Sequence, residues 1–276
     1  MANKKRIITL DEIGRWSEIK LAILREYAAA YARVLKGKLP FEYVDGFAGA
    51  GVHLSRTTGE HVPGSPRLVL EVQPRFNAYH FVERRANKVE YLRGLIGSRQ
   101  NVSLYCGDSN GILVKEVLPR FEYANYRRAL CMLDPYGLTL DWTVVAEAGR
   151  LGTVDVLINF PLMGMNRNVL WHRPDKVSPE QARRMTRFWG DETWRNVAYS
   201  TATNLFGEPE KQPNEVVADA YRNRLMQVAK FKHVPLPLPM RNRNNTIVYY
   251  LFFASQKEVA DKIARAIFKK YSLANN

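Results

Sequence analysis

The chain has 276 residues, 46% of them hydrophobic, enough to supply the core of one large α/β domain or two small ones and to argue for a globular protein. Its 41 Lys and Arg against 27 Asp and Glu leave a formal charge of +14, which favours a polyanionic partner such as nucleic acid and says little about fold. No stretch approaches the ~18 apolar residues of a membrane span, no apolar run follows the charges at Lys4–Arg6, and no Cys or His spacing suits a metal. A soluble, cytoplasmic, metal-free protein is therefore expected, with Cys106 and Cys131 as buried free thiols.

Thr9 and Glu12 have the spacing of a capping box, so a helix is predicted from there. Ile13, Trp16, Ile23, Leu24, Tyr27, Tyr31 and Val34 continue its apolar stripe until Gly37 stops it. Lys20 falls on that stripe, where a cation either snorkels to solvent or points into a ligand site. "PFEYVDGF" reads as a first strand running into the turn "GFAGAG". Ser65, followed by Pro66, is expected to cap the next helix.

Strands and helices then alternate. "AYHFVER" is a strand, "NKVEYLRGLIGS" a helix, "NVSLYCGD" a strand, "GILVKEVLPRF" a helix, "RRALCMLDPYGL" a strand, "DWTVVAEAGRLG" a helix and "VDVLINFP" a strand. This rhythm predicts a mostly parallel, doubly wound α/β sheet with ligands at the carboxyl ends of its strands. After Pro161 it breaks. Residues 162 to about 212 are too long for a connection and predict a helical insertion. "EVVADAYRNRLMQVAKF" resumes as a helix, "KHVPLPLP" and "TIVYYLFFAS" predict a late antiparallel hairpin at a sheet edge, and "KEVADKIARAIFKKYS" is a closing helix. The expected organisation is a single domain carrying one insertion.

Bare backbone in "GFAGAG" admits three uses: a turn with no ligand, a phosphate cradle, or a surface for a nucleoside-containing cofactor. No Gly-Lys-Ser/Thr follows, which disfavours a phosphate loop, and Gly46, Gly49 and Gly51 do not match GxGxxG. The neighbours carry more weight. Glu83 ends the second strand, where a carboxylate can accept from ribose hydroxyls, although it lies further on than the usual ~20 residues. Asp108 follows the third strand, where it could accept from an exocyclic amine. Each acid alone is more often a helix cap or a solvated loop residue than a ligand, and it is the recurrence at successive strand ends after a glycine turn that carries weight. Asp134 leaves the fourth strand beside Pro135, with Tyr136 able to hold a planar base and the carboxylate able to accept from an amine losing its proton.

Together "YVDGFAGAG", "GSP", "FVER", "GDSN", "LDPYGL" and "INFP" resemble the three-Cys-motif partner proteins, which have the Rossmann-like fold of class I S-adenosylmethionine-dependent methyltransferases. By motif the resemblance spans about residues 10 to 165, and "DPYG" is its most specific mark. It implies S-adenosylmethionine as cofactor, with Asp45, Phe47, Gly49 and Gly51 around the methionine moiety, Glu83 at the ribose, Asp108 and Ser109 near the adenine, and Asp134 with Tyr136 as catalytic residues at the acceptor. Lys20 falls where members of the group also carry a lysine, and so joins the cofactor set. The resemblance also implies a neighbouring three-cysteine protein as partner in nucleic-acid modification or repair. "DPYG" departs from the Asp/Asn-Pro-Pro-Tyr of amino-methyltransferases by lacking the second proline.

From Arg167 to Arg187 the insertion holds six Lys or Arg against two acids. Arg167, Arg173, Lys176, Arg183, Arg184 and Arg187, with Trp171, His172 and Trp189 nearby and Arg241 and Arg243 at the hairpin, compose a candidate nucleic-acid surface. A solvated basic face over core tryptophans is the alternative. The activity expected is methylation of a nucleobase, against an accessory nucleic-acid-binding module or a small-molecule methyltransferase.

Overall fold

The structure is a computed structural model that describes residues 9–203 and 209–274, and it divides into two compact units, Met1–Met132 and Leu133–Asn276. The basic opening residues and positions 204–208 of the insertion lie outside the described residues.

The first unit begins differently from the sequence expectation. Thr9 caps no helix. Glu12–Ile13 form a short strand, β1, and helix α1 runs Arg15–Leu35 with Gly14 at its N-cap. The backbone of the segment is satisfied instead by strand β3 (Val52–Ser55): Leu54 N–H donates to the Asp11 carbonyl at 3.1 Å and Arg56 N–H to that of Ile13 at 2.9 Å. A tertiary ladder therefore displaces the local cap. Helix α1 ends as expected before Gly37, and its stripe is buried.

Strand β2 (Phe41–Asp45) is buried along its whole length. The loop beyond the glycine turn, read from sequence as irregular, folds into an antiparallel pair of β3 with β4 (His61–Pro63). Helix α2 (Ser65–Leu70) is capped by Gly64 rather than Ser65. Then come β5 (Ala78–Glu83), α3 (Ala86–Ile96) and β6 (Val102–Cys106). The predicted helix over "GILVKEVLPRF" is three pieces: α4 (Ser109–Ile112), a π-helical turn Leu113–Val117 and a 3₁₀ turn Leu118–Phe121 with proline in its first turn. Strand β7 (Arg128–Leu133) closes the parallel run β7-β2-β5-β6. Helix α3 packs on β5 and β6, and α2 on β2. Cys131 is buried, as expected, and burial pushes its thiol pKa up; Cys106, on the edge strand β6, is exposed, contrary to expectation. An edge strand has one neighbour and less cover.

In the second unit α5 (Trp142–Leu151) leads to β8 (Val154–Phe160). The inserted segment is helical in α6 (Leu162–Asn168), α7 (Pro179–Trp189) and α8 (Trp194–Ala198), but it also contains the antiparallel pair β9 (Tyr199–Thr203) and β10 (Pro209–Lys211). Helix α9 (Asn214–Gln227) follows. The late hairpin forms, but its first strand β11 is Leu238–Arg241, not "KHVPLPLP". Pro235 and Pro237 have no N–H for a ladder, and His233 makes only an isolated bridge to Ser255. Strand β12 (Ile247–Ala254) pairs antiparallel with both β11 and β8, and α10 (Glu258–Ala274) ends the described chain.

The first unit holds the parallel run β7-β2-β5-β6 and the second the antiparallel run β11-β12-β8. This is the mostly parallel, Rossmann-like α/β fold predicted from the alternating pattern. Among the described residues no helix is long and apolar enough to cross a membrane.

Candidate cofactor and acceptor residues

The glycine turn is held by the ends of three strands of the first unit. Gly46 N–H donates to the Met132 carbonyl at 3.0 Å, and Ala48 N–H to that of Val82 at 2.9 Å. Gly49 N–H reaches the Glu83 carboxylate, Oε2, at 3.1 Å, while Arg85 N–H takes Oε1 at 2.7 Å. Gly107 N–H donates to the Glu83 carbonyl at 3.1 Å, and the Ser109 hydroxyl donates to the Gly46 carbonyl at 2.5 Å. The parallel register of β2, β5 and β6 delivers these ends together, because each strand stops within a residue or two of the same level.

Asp45 is fully buried and organises the turn: Oδ1 accepts from Phe47 N–H at 3.1 Å and Oδ2 from the Tyr43 hydroxyl at 3.3 Å. Glu83 is buried too. A carboxylate offers about four lone-pair sites, so the two backbone bonds to Glu83 leave acceptors for ribose hydroxyls. Gly49 has φ +63°, and a Cβ there would meet no atom within 4 Å, so the main chain is bare on that side. Gly51, at φ +76°, is different: its Cβ would stand 2.9 Å from Leu92 Cδ1 of α3. The open backbone at Gly49 beside a buried carboxylate fits a nucleoside-containing cofactor, and at Gly51 the missing side chain makes room for Leu92.

Asp108 is exposed and caps α4, Oδ2 accepting from Gly111 N–H at 3.0 Å. Lys20, one of the residues implied by resemblance, is buried at 6% exposure, so it does not snorkel. Phe47 adjoins the turn as part of the same backbone.

In the second unit, Asp134 is half-buried, and its Oδ1 accepts from Asn159 Nδ2 at 2.6 Å. Asn159, the penultimate residue of β8, is 9% exposed, and its own Oδ1 is buried without a partner. The sequence reading missed it, although an amide inside "VDVLINF" was a legible signal, since buried polar groups are there to bond something. Tyr136 is 57% exposed.

The basic residues of the insertion are dispersed. Arg183, Arg184 and Arg187 are exposed on α7, whose other side buries Met185, Phe188 and Trp189. Arg184 pairs with Glu180, Arg187 with Asp141, and Arg173 and Lys176 both lie 3.8 Å from Asp175. Arg167 and Arg243 are exposed, and Arg241 donates to the Asn245 carbonyl at 2.8 Å. Trp189 is a core residue against Tyr221; Trp171 is 39% exposed and His172 exposed.

Neither a protein-family model nor a curated protein matches the chain. Among solved structures it is similar to protein LPL1258 from Legionella pneumophila, of the family DUF519, with TM-score 0.52 at 11% identity over 96% of this chain and 94% of that one. It also matches the N-methyltransferase NodS of Bradyrhizobium japonicum, crystallised with S-adenosylhomocysteine, with TM-score 0.42 at 8% identity over 88% and 89% of the two chains. A third match is the methyltransferase domain of bacterial CtHen1, with TM-score 0.41 at 13% identity over 84% and 99%. The class defined by the sheet is a Rossmann-like α/β fold, the level at which the chain resembles the DUF519 structure.

Proposed function

We propose that the protein binds S-adenosylmethionine and transfers its methyl group to a nucleobase of DNA or RNA. The observation that carries this reading is the bond between Gly49 N–H and Glu83, which sets a bare stretch of main chain beside a buried acceptor carboxylate. The cofactor supplies a methyl already activated by its sulfonium, so the protein's share is alignment. Glu83 would receive the ribose hydroxyls, Asp108 and Ser109 would flank the adenine, and the turn Asp45–Gly51, with Phe47 and Lys20, would lie along the methionine end.

Asp134 would accept a hydrogen bond from the acceptor amine, and Tyr136 would hold the base plane. A base within a duplex would have to be flipped out. The exposed cations of the insertion, Arg183 first among them, would meet the phosphates. Exposed ion pairs such as Arg184–Glu180 are worth under about 1 kcal/mol, so a phosphate can displace the carboxylate.

The test is a calorimetric titration of the protein with S-adenosylmethionine, with Glu83→Ala alongside. Saturable binding that the variant loses supports the cofactor site. No binding to the folded protein overturns the methyltransferase reading and favours an accessory role in binding nucleic acid for a three-cysteine partner.

A further inference from the structure

We propose that the segment Arg120–Arg128, ahead of β7, is a second nucleic-acid contact, where bases of a single strand stack on Tyr123 and Tyr126 and the arginines meet its phosphates. Both rings are 68% exposed, in a unit whose other large aromatic side chains are mostly buried. Tyr126 also has φ +53°, a left-handed conformation that a bulky side chain seldom adopts without cause.

The rings stand on a fixed base. Leu118 and Phe121 are wholly buried, and Phe121 packs edge-on against His80. Asn125 Nδ2 donates to the Arg120 carbonyl at 3.1 Å, Asn125 N–H to that of Glu122 at 2.9 Å, and Tyr126 N–H to that of Tyr123 at 3.2 Å. The Arg128 guanidinium lies 5.4 Å from the centroid of the Tyr123 ring. A platform held this firmly gives up little entropy when a base stacks on it.

The cations are arranged as well. Arg127 bonds Glu42 Oε1, and Arg120 approaches Oε2 at 4.0 Å, while both side chains keep 43–45% of their surface exposed. A guanidinium has five donors, so the contact with Glu42 orients each arginine and leaves donors for a phosphate. No large aliphatic side chain is exposed in the segment, whereas a protein-docking patch has an apolar centre. Rings and cations without aliphatics, on a chain of net charge +14, favour nucleic acid.

The contact is far from the glycine turn. Phe41 pairs with Arg128 and Asp45 with Met132 in parallel register, so the segment lies at the opposite end of this unit's strands, about 13 Å away at ~3.3 Å per residue. Bases held there are anchored, not methylated. The inference shares nucleic acid with the proposed function but needs neither cofactor nor turnover.

Fluorescence anisotropy with a labelled single-stranded oligonucleotide of about 12 nucleotides tests it. Tyr123→Ala with Tyr126→Asn removes the rings, Asn being a residue that tolerates left-handed backbone. This double variant should raise Kd by about tenfold or more, while Tyr123→Phe with Tyr126→Phe keeps the wild-type value, since stacking needs the ring and not the hydroxyl. Arg183→Ala with Arg187→Ala, measured in parallel, reports on the insertion separately. No loss in the Ala/Asn variant, or an equal loss in the Phe variant, overturns the inference alone. Failure of the wild-type protein to bind any strand overturns it together with the nucleic-acid part of the proposed function, while the cofactor titration still decides the rest.

Discussion

Gly49 and Glu83 are 34 residues apart in sequence and 3.1 Å apart in space, main-chain N–H to carboxylate oxygen. The bond ties the turn after the first sheet strand to the end of its neighbour, and the bare backbone and the acid therefore act as one feature. Neither residue alone distinguishes a cofactor site from a strand-ending turn.

Gly49 and Gly51 should respond differently to the same substitution. Alanine at either incurs left-handed strain of about 1–2 kcal/mol. At Gly49 the new Cβ meets nothing, so strain is the whole cost; at Gly51 it meets Leu92 Cδ1 at 2.9 Å, adding an overpacking cost of about 1–3 kcal/mol. Urea unfolding should therefore rank Gly51→Ala as the less stable. Calorimetry should find S-adenosylmethionine binding weakened in Gly49→Ala although the fold is nearly intact. Full affinity in a folded Gly49→Ala protein would remove the turn from the cofactor site.

How legible this was follows from the kind of interaction each element uses. Strands β2, β5, β7 and β8 read clearly because nearly all their positions are buried and mostly apolar or aromatic, with few polar interruptions. The start of α1 did not, because Asp11–Ile13 are satisfied by β3, some 40 residues on, and a capping-box pattern carries no information about a distant partner. Glu83 was legible as a residue but its bond to Gly49 was not. Trp189 looked like a stacking surface beside arginines, yet the helical face of Met185, Phe188 and Trp189 turns it inward. The Tyr123 and Tyr126 pair carried no signal, since exposure of a tyrosine cannot be read from its neighbours.

Glu42 should give the first unit an acid-sensitive component of stability. It is wholly buried, which by itself raises a carboxyl pKa, but hydrogen bonds from His80 at 2.7 Å and from Arg127, with their charges, outweigh burial and hold it below its usual 4.5. A depressed folded value contributes stability that is present above pH 4.5 and is lost as pH falls through the folded pKa. Glu42→Gln should cost about 1–3 kcal/mol at neutral pH, because a neutral amide cannot accept from both Arg127 and His80 as the buried carboxylate does. It should also flatten the decline in stability below pH 4.5. Chemical denaturation from neutral to acid pH checks both; an unchanged acid limb would remove Glu42 as its source.

Asp134 and Asn159 set up an asymmetric pair. Asn159 Nδ2 serves Asp134 at 2.6 Å while its own Oδ1 is buried and unsatisfied. Asn159→Leu deletes the orphaned acceptor together with the bond, and these effects oppose each other. Asp134→Ala leaves a buried amide with neither end bonded and should cost about 1–3 kcal/mol. Asp134→Ala is thus expected to be the more destabilising, with S-adenosylmethionine affinity unchanged in both variants. The reverse order in urea would mean that the amide is held by something other than Asp134.

Arg224 should be the most sensitive cation of the second unit. Its Nε donates to the Trp189 carbonyl at 3.0 Å, Nη1 to Thr193 Oγ1 at 3.2 Å and Nη2 to Asp191 Oδ2 at 2.9 Å. The guanidinium also lies over Trp142 at 4.9 Å and over Trp189 at 5.5 Å. Burial raises the Asp191 carboxyl, but bonds from Thr193 and Arg224 outweigh this and leave its pKa lowered, so the pair is charged at neutral pH. A lysine can keep the charge but not the fork, and it cannot lie flat against two indoles. Arg224→Ala should cost about 3 kcal/mol, from the loss of charged hydrogen bonds and ring contact, and Arg224→Lys should recover less than half of that. Both should change tryptophan fluorescence before global unfolding. Full recovery by lysine would show that charge alone, without the planar fork, holds Asp191 and the carbonyl of Trp189.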